Sequence, residues 1–270
     1  MPSALSLAKA VLDAGSPNIK VAAAQALSRA WDRGIAIEGA PFTLSDVPAR
    51  PAKPILIDPR AAKRRRLGTE AGRAALLHAI AHIEFNAIDL AADMLARFAL
   101  DTRISDPERH DFCSDWISVC ADEARHFCLV EARMRQMDVS YGDHPAHNGL
   151  WEAALATKDN FAARLAIAPM VLEARGLDVT PTMIEKLELQ KDQQSAQVLR
   201  TIYTEEVRHV AIGRKWFAKI AKHTATSEID QFHSLVRRYF EGSLKPPFNE
   251  AARTKADLPP EFYMPLAAKS

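Results

Sequence analysis

The sequence is poor in the glycine turns and strand patterns typical of β-structure, and in residues that can cross-link. Only 10 of its 270 residues are glycine, and convincing alternation of apolar and polar residues is scarce, whereas helix-forming Ala, Leu, Glu and Arg are frequent. We therefore expect an all-α fold. The three cysteines, Cys113, Cys120 and Cys128, fall on one predicted helix, too far apart for a disulfide, and indicate reduced thiols in a cytoplasmic protein.

A strong net charge and a long apolar run are also absent. The chain has 35 Lys and Arg against 34 Asp and Glu, so its formal net charge of +1 predicts no general attraction to nucleic acid or to a membrane surface. The N-terminal segment has no charged region leading into a long apolar one, which argues against a secretion signal. No apolar run approaches the roughly 20 residues of a transmembrane helix, so we expect no membrane partner.

Helical periodicity dominates what is present. Five prolines make residues 39–60 an extended connector, and the tail from Lys245 is predicted to be irregular. We expect one domain over residues 1–270, with N-terminal helices and connector in 1–67, a helical bundle in 68–222, and a C-terminal helix and tail in 223–270. The predicted helices are 3–13, 17–33, 69–100, 107–138, 150–175, 181–191, 194–222 and 227–241.

Two short motifs of the same form stand about eighty residues apart, DEARH at Asp122–His126 and EEVRH at Glu205–His209. Residues three apart on a helix share a face, so each motif projects a glutamate and a histidine together. One Glu-x-x-His occurs by chance in many helices. However, a four-helix bundle that binds two metal ions takes one such pair from each of two helices and a lone glutamate from each of the other two. The repeat therefore predicts two further inward-facing glutamates.

Glu84 and Glu173 fit that requirement. The residues that share a helix face with Glu84 are all apolar, namely Leu77, Ile80, Ala81, Ala87, Ile88 and Ala91. Glu173 shares its face with Ala166, Pro169, Met170 and Leu177. Burying these carboxylates uncompensated would cost several kcal/mol. Pro169 is also expected to kink or open its helix one turn before Glu173.

These residues predict a dinuclear metal centre in the core of the bundle. Four carboxylates facing one another need cations between them, and a mixture of carboxylate and imidazole ligands suits iron or manganese. Metal-bound histidines usually donate their other N–H to a carboxylate, so we expect Asp122 and Glu205 each to reach the histidine of the opposite helix. Arg125 and Arg208 would pair with those two acids. The predicted metal ligands are Glu84, Glu123, His126, Glu173, Glu206 and His209.

Several candidates have plainer interpretations. The alternative interpretation of the six predicted ligands is that they form internal salt bridges in a metal-free core. His78 and His82 lie away from the Glu84 face and are interpreted as hydrogen-bonded structural residues. Tyr203, Cys120 and Trp116 face the predicted site, where core packing competes with a redox or pocket role. The run Lys63–Arg66 reads as a solvated basic face, with an RNA-binding patch as the alternative.

The motifs resemble those of the ferritin-like di-iron carboxylate superfamily. More narrowly, HAIAHIEFNAIDLA, YGDHPAHNGLWEAA, EARGLDVTP, EEVRHVAIG and PPFNEAAR resemble the bacterial domain-of-unknown-function 455 family of ferritin-like proteins, from about Pro48 to the C-terminus. The resemblance implies a ferritin-like four-helix bundle with extra helices at both ends. It places the superfamily's ligands on the six residues named above, and implies more distant kinship to tRNA-hydroxylating di-iron enzymes.

The resemblance also implies a class of activity. We expect two iron ions, with manganese or mixed manganese and iron as alternatives, and an oxygen-dependent hydroxylation or related oxidation of a small substrate. Dioxygen or peroxide would be the oxidant. Because no flavin, nicotinamide or iron–sulfur motif occurs in the chain, an external electron donor or reductase is implied. The alternatives are a ferroxidase or iron-handling protein without an organic substrate, and a tRNA-modifying hydroxylase.

Overall fold

The structure is a computed structural model that describes residues 2–58, 66–241 and 243–268. In these ranges the protein is built from α-helices, which confirms the all-α prediction, and two isolated β-bridges are the only strand-like pairing. The helices are α1 (Ala4–Leu12), α2 (Pro17–Asp32), α3 (Glu70–Phe98), α4 (Asp106–Arg135), α5 (Gly149–Ala156), α6 (Phe161–Ile167), α7 (Ala174–Leu189), α8 (Gln193–Ala221), α9 (Glu228–Tyr239), α10 (Glu250–Lys255) and α11 (Pro260–Tyr263).

The central packing involves the long helices. α3 packs along α4, α7 packs along α8, and α4 contacts α8, so the two pairs enclose a shared interior. α1 and α2 cover α3 and α4 from outside, and α9 covers α6. One contiguous apolar cluster extends from Ala4 in α1 to Leu266 after α11. Both ends of the chain therefore contribute to the same core as the central helices.

The segment between α6 and α7 is a π-helix, Ala168–Glu173. Its second residue is Pro169, which has no N–H to donate and therefore favours a local opening of the helical hydrogen bonds. The opening expected at Pro169 is thus present, and Glu173 lies at its end. The predicted helix over 150–175 is interrupted before this point, because Asn160 caps α6 by accepting a hydrogen bond from Ala163 N at 3.0 Å.

The predicted break between 175 and 181 was wrong. α7 continues through Pro181, although a proline inside a helix leaves the carbonyl four residues earlier without its donor. That carbonyl belongs to Leu177, and it accepts a hydrogen bond from Asn249 Nδ2 at 3.2 Å. The tail predicted to be irregular contains α10 and α11, and it thereby supplies the missing donor.

Helix α3 corrects another expectation. Its length and apolar composition would allow it to cross a membrane, whereas no apolar run of transmembrane length was expected from the sequence. However, 83% of its most apolar window is buried inside the protein, against α1, α2, α4 and α5. This is the pattern of a core helix.

A close contact fixes the position of the π-helix. Gly213 of α8 faces Pro169, and a Cβ added at Gly213 would lie 2.3 Å from both Cβ and Cγ of the proline ring. Only a glycine lets the two backbones approach so closely. Because Glu173 follows four residues after Pro169, this contact also sets how far Glu173 reaches into the interior.

Replacing Gly213 with alanine is expected to destabilise the protein. Overpacking typically costs about 1–3 kcal/mol, and a clash at 2.3 Å with a rigid proline ring belongs to the upper part of that range, about 2–3 kcal/mol. The better helix propensity of alanine returns about 1 kcal/mol. We expect a net loss of about 1–2 kcal/mol in the free energy of unfolding, measured by urea denaturation. The matched control is Gly176→Ala in α7, where nothing lies near the added methyl group. That variant should be neutral or slightly more stable, and equal behaviour of the two variants would refute the contact.

Candidate metal centre

Four helical segments bring the six predicted ligands to one place. Glu84 comes from α3, and Glu173 from the end of the π-helix. The first Glu-x-x-His pair lies on α4 and the second on α8. The side chains of Glu84 and Glu123 are 5% and 1% exposed, and both histidine side chains are fully buried. The side chain of Glu206 is 13% exposed and Glu173 is partly buried, so the cluster is mostly, though not wholly, removed from bulk water.

The distances divide the cluster into two halves that share carboxylates. Nδ1 of His126 lies 3.4 Å from Glu84 Oε2 and 3.4 Å from Glu123 Oε2. Nδ1 of His209 lies 2.9 Å from the other oxygen of the same carboxylate, Glu123 Oε1. Glu206 Oε1 lies between the two rings, 3.8 Å from His126 Nδ1 and 3.5 Å from His209 Nδ1. Glu123 and Glu206 thus face both histidines, while Glu84 faces His126.

One ligand atom from each of Glu84, Glu123, His126 and Glu206 lies within 4.8 Å of all the others, which is close enough for these atoms to hold one cation. Glu173 is outside that group of four. Burial raises the pKa of Glu173, the charges of Glu206 and Glu123 raise it further, and His209 opposes them. Glu173 therefore lies in the electrostatic field of the His209 half of the cluster.

The atoms that face the centre of the cluster lack hydrogen-bond partners. Among the described residues, both carboxylate oxygens of Glu123, Nδ1 of each histidine, and Oε2 of Glu173 are buried and have no such partner. His209 Nδ1 and Glu123 Oε1 are close, yet their geometry is not that of a hydrogen bond. Buried polar atoms are almost always paired, and lone pairs that converge without pairing are what a metal ion requires. The donor set therefore fits metal ions.

An outer layer of charge orients the two imidazole rings. Nε2 of His126 lies 2.6 Å from Glu205 Oε2 on the opposite helix, and Nε2 of His209 lies 3.3 Å from Asp122 Oδ2. Arg125 donates to both of these acids, and Arg208 donates to Asp122. In a neutral ring whose Nε2 proton is held by a carboxylate, Nδ1 would present its lone pair to the interior. The cross-helix contacts expected from the sequence are thus present.

The ionisation of the cluster reflects the crowding of its charges. Burial raises the pKa of Glu84 and of Glu206, and the neighbouring carboxylate of Glu123 raises both further. Burial opposes protonation of His126, yet the carboxylates of Glu123 and Glu84 outweigh it and raise its pKa to about 11. Without cations, protons therefore compensate the carboxylates, and metal ions would have to displace them.

The three candidates for redox or pocket roles make separate contacts. The hydroxyl of Tyr203 accepts a hydrogen bond from Asn249 Nδ2 at 2.9 Å, which ties it to the C-terminal tail. The Cys120 thiol donates to Ile88 O at 3.7 Å, and burial raises its pKa, so it stays protonated. Trp116 is buried and packs against Phe112. These contacts are those of core residues, and a redox role for them stays a prediction.

The other candidates lie outside the cluster or outside the described residues. His82 Nδ1 lies 2.8 Å from the Tyr141 hydroxyl, and His78 Nε2 accepts from Gly142 N at 2.8 Å. Both histidines are hydrogen-bonded, as predicted. Of the basic run, Lys63, Arg64 and Arg65 lie outside the described residues.

Three aromatic rings pack together next to two of the predicted ligands in the chain, and the sequence predicts only part of this layer. Phe85 and Phe127 each directly follow a predicted ligand, and their ring centroids lie 5.7 Å apart. The ring of Tyr141 lies 5.3 Å from each of them. Phe127 shares a helix face with Glu123, which predicts that it packs near the site, whereas no such relation singles out Phe85 or Tyr141. The sequence signal for Phe85 was that an aromatic residue directly follows both Glu84 and His126. The position of Tyr141 depends on tertiary contacts alone.

Comparisons with known proteins identify the family. An uncharacterized protein from Haemophilus influenzae is 40% identical over 211 residues, which cover 78% of this chain and 73% of the relative. No solved structure matches the chain. Residues 13–264 match the family described as "Protein of unknown function (DUF455)". With nearly the whole length matched, the chain belongs to the DUF455 family.

Proposed function

We propose that the protein is a ferritin-like dinuclear metal protein that oxidises or hydroxylates a small organic substrate. The metal ions would be two irons, or manganese in one or both positions. Dioxygen or peroxide would be the oxidant, and a separate reductase would supply electrons. The observation that carries the proposal is the convergence of unpaired, buried ligand atoms from three helical segments, joined by Glu84 from a fourth, with both histidine rings facing carboxylates of the opposite helix.

Charge balance supports the number of metal ions. Four ionised glutamates carry four negative charges, which two divalent cations neutralise while both imidazoles stay neutral. The outer layer is balanced separately, since it combines two acids, Asp122 and Glu205, with two arginines, Arg125 and Arg208. A buried site needs such compensation, because an unpaired buried charge costs several kcal/mol.

The arrangement of the side chains supports distinct roles. Glu84 and His126 would hold one ion, Glu173 and His209 the other, and Glu123 and Glu206 face both positions. Glu205 and Asp122 hold the outer imidazole protons, which makes the rings stronger ligands. Phe85 and Phe127 are buried, pack with Tyr141 and directly follow Glu84 and His126 in the chain, so they would help to keep water from this part of the core. When bound, the metals would supply the redox chemistry with dioxygen, which these residues cannot supply themselves.

Oxygen consumption tests the activity. Metal-free protein is loaded anaerobically with ferrous iron and mixed with oxygenated buffer and a chemical reductant in an oxygen electrode. We expect oxygen uptake faster than that of the same ferrous iron in buffer, and no such excess with Glu123→Ala. The matched control is Glu131→Ala, since Glu131 lies on the same helix but pairs with Arg135. Loaded wild-type protein that reacts no faster than free iron would overturn the oxidase proposal.

The same experiment separates the alternatives. Many irons oxidised per chain without added reductant, in a particle of many subunits, would indicate iron handling. Oxidation that proceeds only when tRNA is present would indicate a tRNA-modifying hydroxylase. Turnover sustained by reductant, with iron retained in the protein, supports the proposed oxidation of a small substrate.

Removing an outer carboxylate is expected to weaken metal binding without abolishing it. Asp122→Ala and Glu205→Ala each leave one imidazole N–H without its acceptor, and such losses typically lower metal affinity about 10- to 100-fold. Competition with a fluorescent chelator measures the affinity, and Glu131→Ala again serves as the control. Affinities equal to that of wild type in both variants would show that these acids do not orient the histidines.

A further inference from the structure

A cavity lies between the extended connector and the face of α3 that carries His82. It has a volume of about 290 Å³ and is mostly apolar. Among the described residues, none of the side chains that line it is acidic. The lining residues that matter here are Arg50, Pro54, Ile55, Leu56, Phe85 and Tyr141. Its size and its apolar walls, with a single charged group, are typical of sites for small organic ligands.

Arg50 is the charged group, and its pairing differs from that of other arginines in the core. It donates from Nη1 to Asn148 Oδ1 at 2.9 Å and from Nη2 to Asn86 Oδ1 at 2.7 Å, and both acceptors are neutral. Its Nε is buried and has no hydrogen-bond partner among the described residues. By contrast, Arg164 pairs with Asp93 and Arg253 with Asp178. Within the described part of the chain, Arg50 forms no ion pair within 4.0 Å.

The nearby acid does not neutralise Arg50. Asp89 is close enough to stabilise the charged form of Arg50, but its Oδ1 accepts from the fully buried Lys20 Nζ at 2.5 Å. Lys20 and Asp89 balance each other, so this part of the core keeps one positive charge in excess. Guanidinium has five N–H groups, and two of those of Arg50 are used. A carboxylate is the planar partner that the remaining donors fit.

We infer that this cavity binds a small organic carboxylate, with its anionic group on Arg50 and its apolar body against Pro54, Ile55, Leu56 and Phe85. One guanidinium matches a monoanion, whereas a phosphate dianion would leave a buried negative charge uncompensated. None of the six proposed metal ligands lines this cavity, so the site is distinct from the proposed metal centre. Its test therefore does not depend on the metal ions.

Contacts within the protein hold the walls of the cavity in place before a ligand binds. Gly142 has a φ of +108°, and a Cβ there would lie 2.9 Å from Lys53 Cβ, so the loop that carries Tyr141 closes directly onto the connector. Tyr141 is held by His82, whose Nε2 lies 3.2 Å from His147 O. Arg50 lies over the ring of Trp151, with 5.8 Å between Cζ and the ring centroid. A ligand would therefore enter a site that needs little rearrangement.

Ligand-observed NMR titration of the metal-free protein tests the inference. The probes are hexanoate, 1-hexanol and inorganic phosphate. We expect hexanoate to bind with a Kd below about 10 mM, and 1-hexanol and phosphate to bind at least about tenfold more weakly. Arg50→Gln should weaken hexanoate binding at least about tenfold, whereas the same change at the exposed Arg29 should leave it unaltered.

A second pair of variants guards against loss of folding in Arg50→Gln, because Arg50 also holds two asparagines. Ile55 lies at the mouth of the cavity and is 66% exposed, so its replacement should be tolerated. Ile55→Glu places a repelling carboxylate beside Arg50 and should weaken hexanoate binding, while the neutral Ile55→Gln should not do so to the same extent. Absence of hexanoate binding, equal binding of 1-hexanol, tighter binding of phosphate, or equal effects of Ile55→Glu and Ile55→Gln would each overturn the inference.

Discussion

Replacing Glu123 with alanine is expected to abolish binding of both metal ions. Its two oxygens face different histidines, with Oε1 at 2.9 Å from His209 Nδ1 and Oε2 at 3.4 Å from His126 Nδ1. Neither oxygen has a hydrogen-bond partner among the described residues, so both are available as ligands. Loss of this carboxylate removes a ligand from each half of the cluster. Removing one negative charge also leaves three carboxylates against two divalent cations, so one positive charge stays uncompensated in a buried site.

The lone glutamates should behave differently. Glu84 Oε2 lies 3.4 Å from His126 Nδ1, and Glu173 lies in the field of His209. We therefore expect Glu84→Ala and Glu173→Ala each to retain about one ion per chain, where the wild type holds about two. Inductively coupled plasma mass spectrometry after anaerobic loading and desalting gives these numbers. Glu131→Ala is the control, and a Glu123→Ala variant that keeps both ions would refute the shared-ligand geometry.

Replacing Lys20 with methionine is expected to cost about 3–5 kcal/mol of stability, the usual penalty for breaking a buried ion pair. Lys20 and Asp89 are both fully buried, and Lys20 Nζ also donates to Val11 O at 2.9 Å. This pair joins α2 to α3 within five residues of Glu84. Because whole domains are stable by only about 5–15 kcal/mol, the variant should be close to unfolding at physiological temperature.

Urea denaturation of the metal-free protein measures this loss. The double variant Lys20→Met with Asp89→Leu should recover part of the stability, since it also removes the buried carboxylate that is left without its partner. Lys9→Met is the control, because Lys9 and Asp13 form an exposed pair worth less than about 1 kcal/mol. A single transition would also support the expected single domain over the whole chain. Two transitions, with Lys20→Met shifting one alone, would contradict it.

Local sequence rules predicted much of the candidate site. The Glu-x-x-His spacing is an i, i+3 relation within one helix, so it could be deduced from helix geometry alone. The apolar faces around Glu84 and Glu173 predicted their inward direction in the same way. Their assembly into one cluster was inferred from the number and order of the motifs. By contrast, no local rule shows that Glu123 faces both histidines while Glu84 faces one of them.

The features that the sequence could not predict depend on residues far apart in the chain. Helix α7 passes through Pro181 because Asn249 in the tail donates to Leu177 O. Arg50 resembles any other arginine in the sequence. Only its contacts with Asn86 and Asn148 show that its partners among the described residues are neutral. Each case is a hydrogen-bonding requirement met by tertiary packing, which propensity and periodicity do not report.

Anaerobic titration of metal-free wild-type protein with ferrous iron tests the central claim most directly. Binding is followed by equilibrium dialysis and mass spectrometry, with manganese in a parallel series. We predict saturation at about two ions per chain, with protons released as the ions displace those held by the glutamates and histidines. A protein that binds neither ferrous iron nor manganese under these conditions would contradict the account, and its acids and histidines would then form a salt-bridged helical core.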